Sequence, residues 1–448
     1  MTLLRESYLY HLWTVLCAVY GDSAVHRCLV RLGDWCSRQI DSSRLLRVLC
    51  REGAVARAWE ASALCRLLTA IVNLPVWLLH RLYLALRPAF DGSFFAGLAF
   101  EMGHETAIAQ SWLIMLLWVI PFSRWNNAYT LLGFAALLVL FCAGAMPRER
   151  FRLDVRTVGF YPVVLFGSVF LAVLFSYEPS VSFRFLFYHI SAAACVLVTV
   201  SAVRGTEDLK RLAAGGGVCV LVSSLYGVYQ RIQGVEVNES YVDMTVNAGM
   251  PGRVESYFDN PNTFAEVLIL LLPLVLALIL CSRHVVSRLM ACGVFAVGVL
   301  ALGMTYSRAS WVGMACAMAV LVFLWKPKLI PLFIALCVLM VPFLPSTIWN
   351  RVLTIFNPAD SSTASRIPLY QAALEVIRTS PVSGAGLGTA AVQDFIRDYN
   401  LYHAEAPFVH AHNFYLQVWI EAGILGFAGF FGSMLWNIKR AAHTARHC

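Results

Sequence analysis

The stretch Asn262–Leu280, NTFAEVLILLLPLVLALIL, carries a single ionisable side chain, Glu266. A continuous apolar run of roughly twenty residues spans the hydrocarbon core of a bilayer when it coils as an α-helix. Runs of similar character recur near 105–122, 127–146, 157–176, 183–202, 210–231, 286–304, 309–325, 329–344 and 413–437. We therefore expect an all-α, polytopic integral membrane protein with about ten transmembrane helices, ten to twelve at most. The run from Leu67 to Leu86 is interrupted by His80 and Arg81 and is read as interfacial or re-entrant. No internal repeat and no paired broken segments of the kind found in inverted-repeat transporters are visible.

Composition agrees. The chain has 448 residues, 59% hydrophobic and only 13% charged, a depletion that few water-soluble domains of this length show. The net charge of +8 comes from basic residues spread through short connecting loops. That distribution argues against a nucleic-acid partner. The thirteen cysteines have no C-x-x-C spacing and avoid the segments placed outside below, so neither a disulfide framework nor a zinc site is indicated. Cys448 is not part of a C-a-a-X box, so no lipid anchor is read there. The first apolar run, broken by His11 and Asp22, does not read as a cleavable signal peptide.

Three regions follow. Residues 1–104 are rich in arginine, with apolar residues at helical spacing in Leu45-Leu46, Val48-Leu49, Val55, Ala58-Trp59 and Leu64. They read as cytoplasmic amphipathic helices. Residues 105–438 form the transmembrane domain, and 439–448 a cytoplasmic tail. Arg148, Arg150, Arg152 and Arg156 fill one loop, and Arg204, Lys210 and Arg211 the next but one. Arg283 and Arg288, Lys326 and Lys328, then Lys439, Arg440 and Arg446 continue the alternation. With ten spans all of these fall on one side, which is then cytoplasmic together with both termini.

The outer side carries two long segments, about 232–261 and about 345–412, and short turns such as Tyr306-Ser307-Arg308. Arginines there run against the positive-inside tendency, so some of them have a function. Arg351, Arg378 and Arg397 read as solvated faces of a loop helix. Arg253 is followed by Asn260-Pro261-Asn262, a turn and helix start that either asparagine can cap. Backbone N–H groups aimed outward beside an arginine would suit an anion, and a plain loop-to-helix turn fits equally well. Arg308 sits between two spans with almost no loop, placed either to snorkel to lipid phosphate or to hold the diphosphate of a lipid substrate. Arg366 opens an amphipathic helix with Leu369, Ala372, Ala373, Val376 and Ile377 on its apolar side. Pro381 and the glycines 384, 386 and 388 end that helix in what reads as a flexible turn against the membrane.

The outer segment closes on Tyr402-His403, Glu405, His410 and His412, followed by Asn413 and the last apolar run. The spacing matches no usual metal-ligand set. A histidine where water meets bilayer can instead do proton chemistry on a substrate delivered by the membrane. His412 adjoins Asn413 and the span and is preferred over His410 as that base, although an Asn at this point also simply caps a helix.

Taken together these residues resemble the O-antigen ligase superfamily, which includes O-antigen polymerases and protein O-oligosaccharyltransferases. Its signature is a histidine, then Asn, Ser or Gln, nine residues, Gly, two residues and a further small or aromatic residue. His412, Asn413, Gly423 and Gly426 fit it. Arg253 with Asn260-Pro261-Asn262, Ser307-Arg308, and Arg366 with Ser380-Pro381, Gly384 and Gly388 resemble its other motifs, in order, between about 225 and 437. The 104-residue N-terminal region is not part of that pattern.

The resemblance implies a GT-C-like membrane glycosyltransferase in the bacterial cytoplasmic (inner) membrane, with its active site on the extracytoplasmic face. The donor would be a glycan on undecaprenyl diphosphate, and the acceptor a hydroxyl on a glycan, a lipid or a protein. His412 would take the hydroxyl proton. Arg253 and Arg308 would neutralise the diphosphate, while Arg366, His410 and Asn413 would hold substrate or orient the base. With arginines supplying that charge the reaction needs no metal or cofactor, and attack opposite the diphosphate would invert the anomeric centre. A surface or capsular polysaccharide polymerase of the same superfamily would use the same chemistry. A polysaccharide or lipid transporter is the rival from another class. It predicts ionisable residues deep in the spans, where only Arg184, His189, Glu266 and Glu421 stand out, mostly near span ends.

Overall fold

In a computed structural model the described residues are 8–49, 53–104, 127–148, 152–238, 251–340, 342, 366–404 and 407–447. The expected span 105–122, Arg351 and Glu405 lie outside them. Apart from one short 3-10 turn, Pro327–Leu329, every regular element is an α-helix. In chain order these are α1 (Tyr8–Gly21), α2 (Ala24–Ser42), α3 (Arg44–Leu49), α4 (Ala54–Ala61), α5 (Ala63–Ala85), α6 (Arg87–Asp91) and α7 (Phe94–His104). Next come α8 (Asn127–Ala145), α9 (Val155–Val158), α10 (Phe160–Leu174), α11 (Pro179–Ala202), α12 (Thr206–Gln233), α13 (Pro261–Cys281) and α14 (Val285–Met304). The last are α15 (Arg308–Trp325), α16 (Ile330–Met340), α17 (Arg366–Thr379), α18 (Thr389–Asp398) and α19 (Phe414–His447).

Seven described helices are long and apolar enough to cross a membrane: α5, α11, α12, α13, α14, α15 and α19. The protein is an all-helical, multi-pass membrane protein. The run expected over 157–176 is shorter than its hydropathy promised. Gly159 takes a positive φ of 97° against the Trp436 ring and divides the one-turn α9 from α10. Of the run expected over 329–344, α16 covers Ile330–Met340, and residues 341, 343 and 344 lie outside the described residues. The Leu67–Leu86 run, by contrast, is part of a single unbroken helix, α5. The polar groups that interrupt it have partners: His80 Nδ1 meets the Met146 carbonyl at 2.8 Å, and the Arg81 guanidinium lies over the Trp77 ring.

By packing, the chain divides into two units. The first takes Met1–Glu52, Val312–Trp349 and Asn437–Cys448. Within it α2 lies against the 3-10 turn, where Asp34 pairs with Lys328 at 2.9 Å.

The second unit, Gly53–Trp311 with Asn350–Trp436, holds every candidate site residue. Its best-packed part is the trio α12, α13 and α14. Apolar side chains give no net attraction inside lipid, so close helix packing there depends on small residues at the contacts. Gly216 and Gly217 of α12 meet Leu271 and Val275 of α13, and Gly298 of α14 sits between Leu272 and Val220. A second cluster joins α17, α18, the 381–388 turn and the head of α19 through Leu369, Ala373, Val376, Phe395, Phe408 and Ile420. The apolar side expected for the Arg366 helix is the one that is buried.

Candidate functional site

The first group of site residues sits where α12, α13 and α14 end together. Asn260 caps α13, its Oδ1 accepting from the Asn262 N–H at 2.8 Å and the Thr263 N–H at 3.4 Å. Pro261 occupies the first helical position, where its missing N–H costs nothing. With the cap taken by Asn260, the Asn262 side chain is available to Arg253. Arg253 Nη2 donates to Asn262 Oδ1 at 2.6 Å, and Nε donates to the Thr305 carbonyl at 2.7 Å. The Val254 N–H reaches the Met304 carbonyl as well. Arg253 is thus 8% exposed and clamps the chain just before α13 to the turn that leads into Arg308.

That turn is tightly made. Thr305, Tyr306 and Ser307 are buried, and Tyr306 adopts a left-handed φ of 51°, rare for a bulky residue. Ser307 Oγ and Ser310 Oγ are 3.0 Å apart, and Trp311 Nε1 donates to the Leu302 carbonyl. Arg308 follows as the first residue of α15, half-buried. A guanidinium beside the free N–H groups of a helix start is a ready site for an anion.

On the other side of the segment, Ser256 (φ 56°) and Asp259 (φ 53°) are also left-handed. Gln230 holds the Ser256 backbone from both ends, at 2.8 Å each way. Strain of this kind costs about 1–3 kcal/mol per residue and persists where surrounding contacts over-determine it.

The second group surrounds His412, itself left-handed at φ 47°. Asn413 starts α19, its Oδ1 accepting from the Tyr415 N–H at 3.0 Å and the Leu416 N–H at 3.3 Å. Just upstream, the Ala411 N–H donates to Gln417 Oε1 at 2.9 Å, and Gln417 Nε2 donates to Glu421 Oε1 at 2.5 Å. A relay one turn and then two turns into α19 therefore fixes the backbone beside the histidine. The Gly388 amide and His189 face the same Glu421 carboxylate.

His412 is exposed, with the His410 ring centroid 3.9 Å from its own. Partial cover by the surrounding chain, then the neighbouring His410 and the Arg366 guanidinium, hold its imidazole below the ordinary histidine range. Removing water disfavours the charged ring, and nearby positive charge does the same. The structure thus brings His412, His410 and Arg366 together, and separately Arg253 with the Arg308 turn. Arg378 and Arg397 are solvated, paired within their own helices with Glu375 and Asp394.

The glycine turn is not free. Residues 384–388 are buried, and the turn is bonded on two sides. The Ala385 N–H donates to the Ile420 carbonyl at 2.6 Å and the Ile424 N–H to the Pro381 carbonyl at 3.0 Å. Ser182 Oγ donates to the Leu387 carbonyl at 3.1 Å. This docking needs Gly423, which breaks α19 with φ 65° and ψ −169°. A Cβ there would collide with the Val382 carbonyl.

Gln417 was not among the sequence candidates, and Glu421 entered only as an ionisable residue within a span. The sign that could have found both is their spacing. Asn413, Gln417 and Glu421 lie four residues apart, on one face of a helix.

No curated protein and no solved structure matches the chain. Residues 291–431 match the O-antigen ligase family model. That range contains Arg308, Arg366, His410, His412, Asn413, Gly423 and Gly426 and leaves out Arg253, which is tied to it through Thr305. Over residues 291–431, about a third of the chain, the protein is thus similar to the O-antigen ligase family.

Proposed function

We propose that the protein transfers a glycan from an undecaprenyl-diphosphate donor to an acceptor hydroxyl at the outer face of the bacterial cytoplasmic membrane. The observation that carries this reading is the state of His412. It sits at the mouth of α19 inside the matched domain, exposed, in a fixed left-handed turn, with its imidazole held toward the neutral form. A base must be neutral to take the acceptor proton, and at pH 7 a depressed histidine is. As the hydroxyl oxygen bonds to the anomeric carbon, the bond to the diphosphate breaks and negative charge grows on the leaving oxygen. Arg308 at the start of α15 is placed to meet that charge, with Arg253 fixing the turn from behind. Arg366 and His410 serve the acceptor side. A polysaccharide polymerase differs only in the acceptor and fits the same residues.

Glycan transfer from a purified undecaprenyl-diphosphate donor, measured in detergent with EDTA throughout, tests this. His412→Ala should lose about 10²–10⁴ in rate, the range for a general base. Arg308→Ala should lose about 10²–10³, as removal of a charge-stabilising donor does. Normal turnover by His412→Ala would remove it as the base and direct attention to His410.

A further inference from the structure

One cavity of the second unit is built from elements that carry none of the candidate site residues. It has a volume of about 380 Å³ and lies between α5 and the segment that links α8 to α9. Four arginines line it, Arg66 from α5, Arg148 and Arg152 from the linking segment and Arg156 from α9, with His80 and Trp77 beside them. Among the described residues no carboxylate lines it. Among the described residues none of the four guanidiniums forms an ion pair, and Arg148 Nη1 is buried without a hydrogen-bond partner. Burial, then the approach of Arg204, holds Arg148 below the ordinary arginine range. A concentration of fixed positive charge with unmet donors is what a multivalent anion completes.

The way the segment lies along α5 fixes the setting. Asn73 bonds Leu153 in both directions, at 3.1 and 2.7 Å, and His80 meets Met146 about two turns further along α5. Met146 and Leu153, either side of Arg148 and Arg152, are thus both tied to polar side chains of α5. Away from the cavity Leu67, Ile71 and Leu78 are all about half exposed. Guanidiniums strung along a helix that crossed the bilayer would sit at hydrocarbon depth, at a large cost. A helix lying in the interface, apolar face down and cationic face among the headgroups, has no such conflict.

We propose that this cavity binds a phosphate-bearing anion, and that α5 lies in the membrane interface to present it. Leu74 and Trp77 belong both to the cavity wall and to the exposed surface of α5. A bound headgroup could thus keep its acyl chains along the helix, and this favours an anionic lipid as the source over a free phosphate compound. The site is independent of the transfer reaction proposed above.

The test uses the full chain in phosphatidylcholine nanodiscs with and without phosphatidylglycerol, counting retained lipids by native mass spectrometry. A parallel arm follows thermal unfolding in phosphatidylcholine discs with inorganic diphosphate. Arg152 and Arg156 are exposed, so Arg152→Gln with Arg156→Gln removes charge without opening the core. Arg378→Gln with Arg397→Gln is the charge-matched control. Selective retention of phosphatidylglycerol, weakened about twentyfold in the first pair and unchanged in the control, is expected from about fivefold per arginine. Stabilisation by diphosphate alone, lost in the first pair, would uphold the site with a free anion as its ligand. Equal loss in both pairs, or no selectivity in either arm, would overturn the proposal.

Discussion

The turn before α15 and the turn before α19 are built on one plan and finished differently. Each leads into an apolar helix, and each contains a bulky left-handed residue, Tyr306 in one and His412 in the other. Beside Tyr306, Thr305 and Ser307 are buried, and the Thr305 carbonyl is answered by Arg253. His412 keeps its ring in the open, and only the backbone beside it is fixed, through Ala411, Gln417 and Glu421. A group that supplies constant charge benefits from a rigid buried setting. A group that must exchange a proton with a substrate needs access and a tuned pKa. Under the proposed function, the difference suits electrostatics at the first turn and proton transfer at the second.

The largest effect that could break this contrast is on stability. Arg253→Ala leaves the buried Thr305 carbonyl and Asn262 without their donor and should destabilise the protein by about 3 kcal/mol. It should also lower transfer. A lowered unfolding temperature in a lipid-matched thermal melt is the check. An unchanged melt would mean that the first turn is not held as described.

Gln417→Leu sharpens the second half. Its loss frees the Ala411 backbone without touching the ring, and should reduce kcat by up to about a hundredfold with KM little changed. Gln417→Glu should restore part of the rate, because it keeps an acceptor for the Ala411 N–H. Equal loss in both variants would indicate general damage to α19.

The smallest effect belongs to Arg366→Gln. Removing that charge should move the acidic limb of the kcat profile upward, toward the ordinary histidine value, with the kcat plateau above it little altered and the acceptor KM raised. The sign follows from the direction of the perturbation: positive charge nearby lowers the His412 pKa, so its removal raises it.

Much of this was legible in the chain. Apolar runs give spans directly, because length and hydropathy are all that lipid requires, and His412 with Asn413 stood at the mouth of the last run. The amphipathic face of α17 was likewise plain. What stayed hidden depends on distant partners or on backbone shape. Nothing local says that Arg253 will bond Thr305, 52 positions away, or that Asn73 will take Leu153, 80 away. The left-handed turns fall on Tyr306 and His412, neither of which advertises positive φ as glycine does. The glycine turn looked flexible because its partner, the break at Gly423, lay in a run that reads as unbroken helix.

The claim that His412 is the base is tested most directly by the pH dependence of kcat/KM for glycan transfer, wild type against His412→Gln. The wild type should lose activity in acid along a single limb centred below the ordinary histidine value of about 6.5, and the residual activity of the variant should lack that limb. A limb that persists unchanged in His412→Gln would contradict the account, since another group would then be taking the proton.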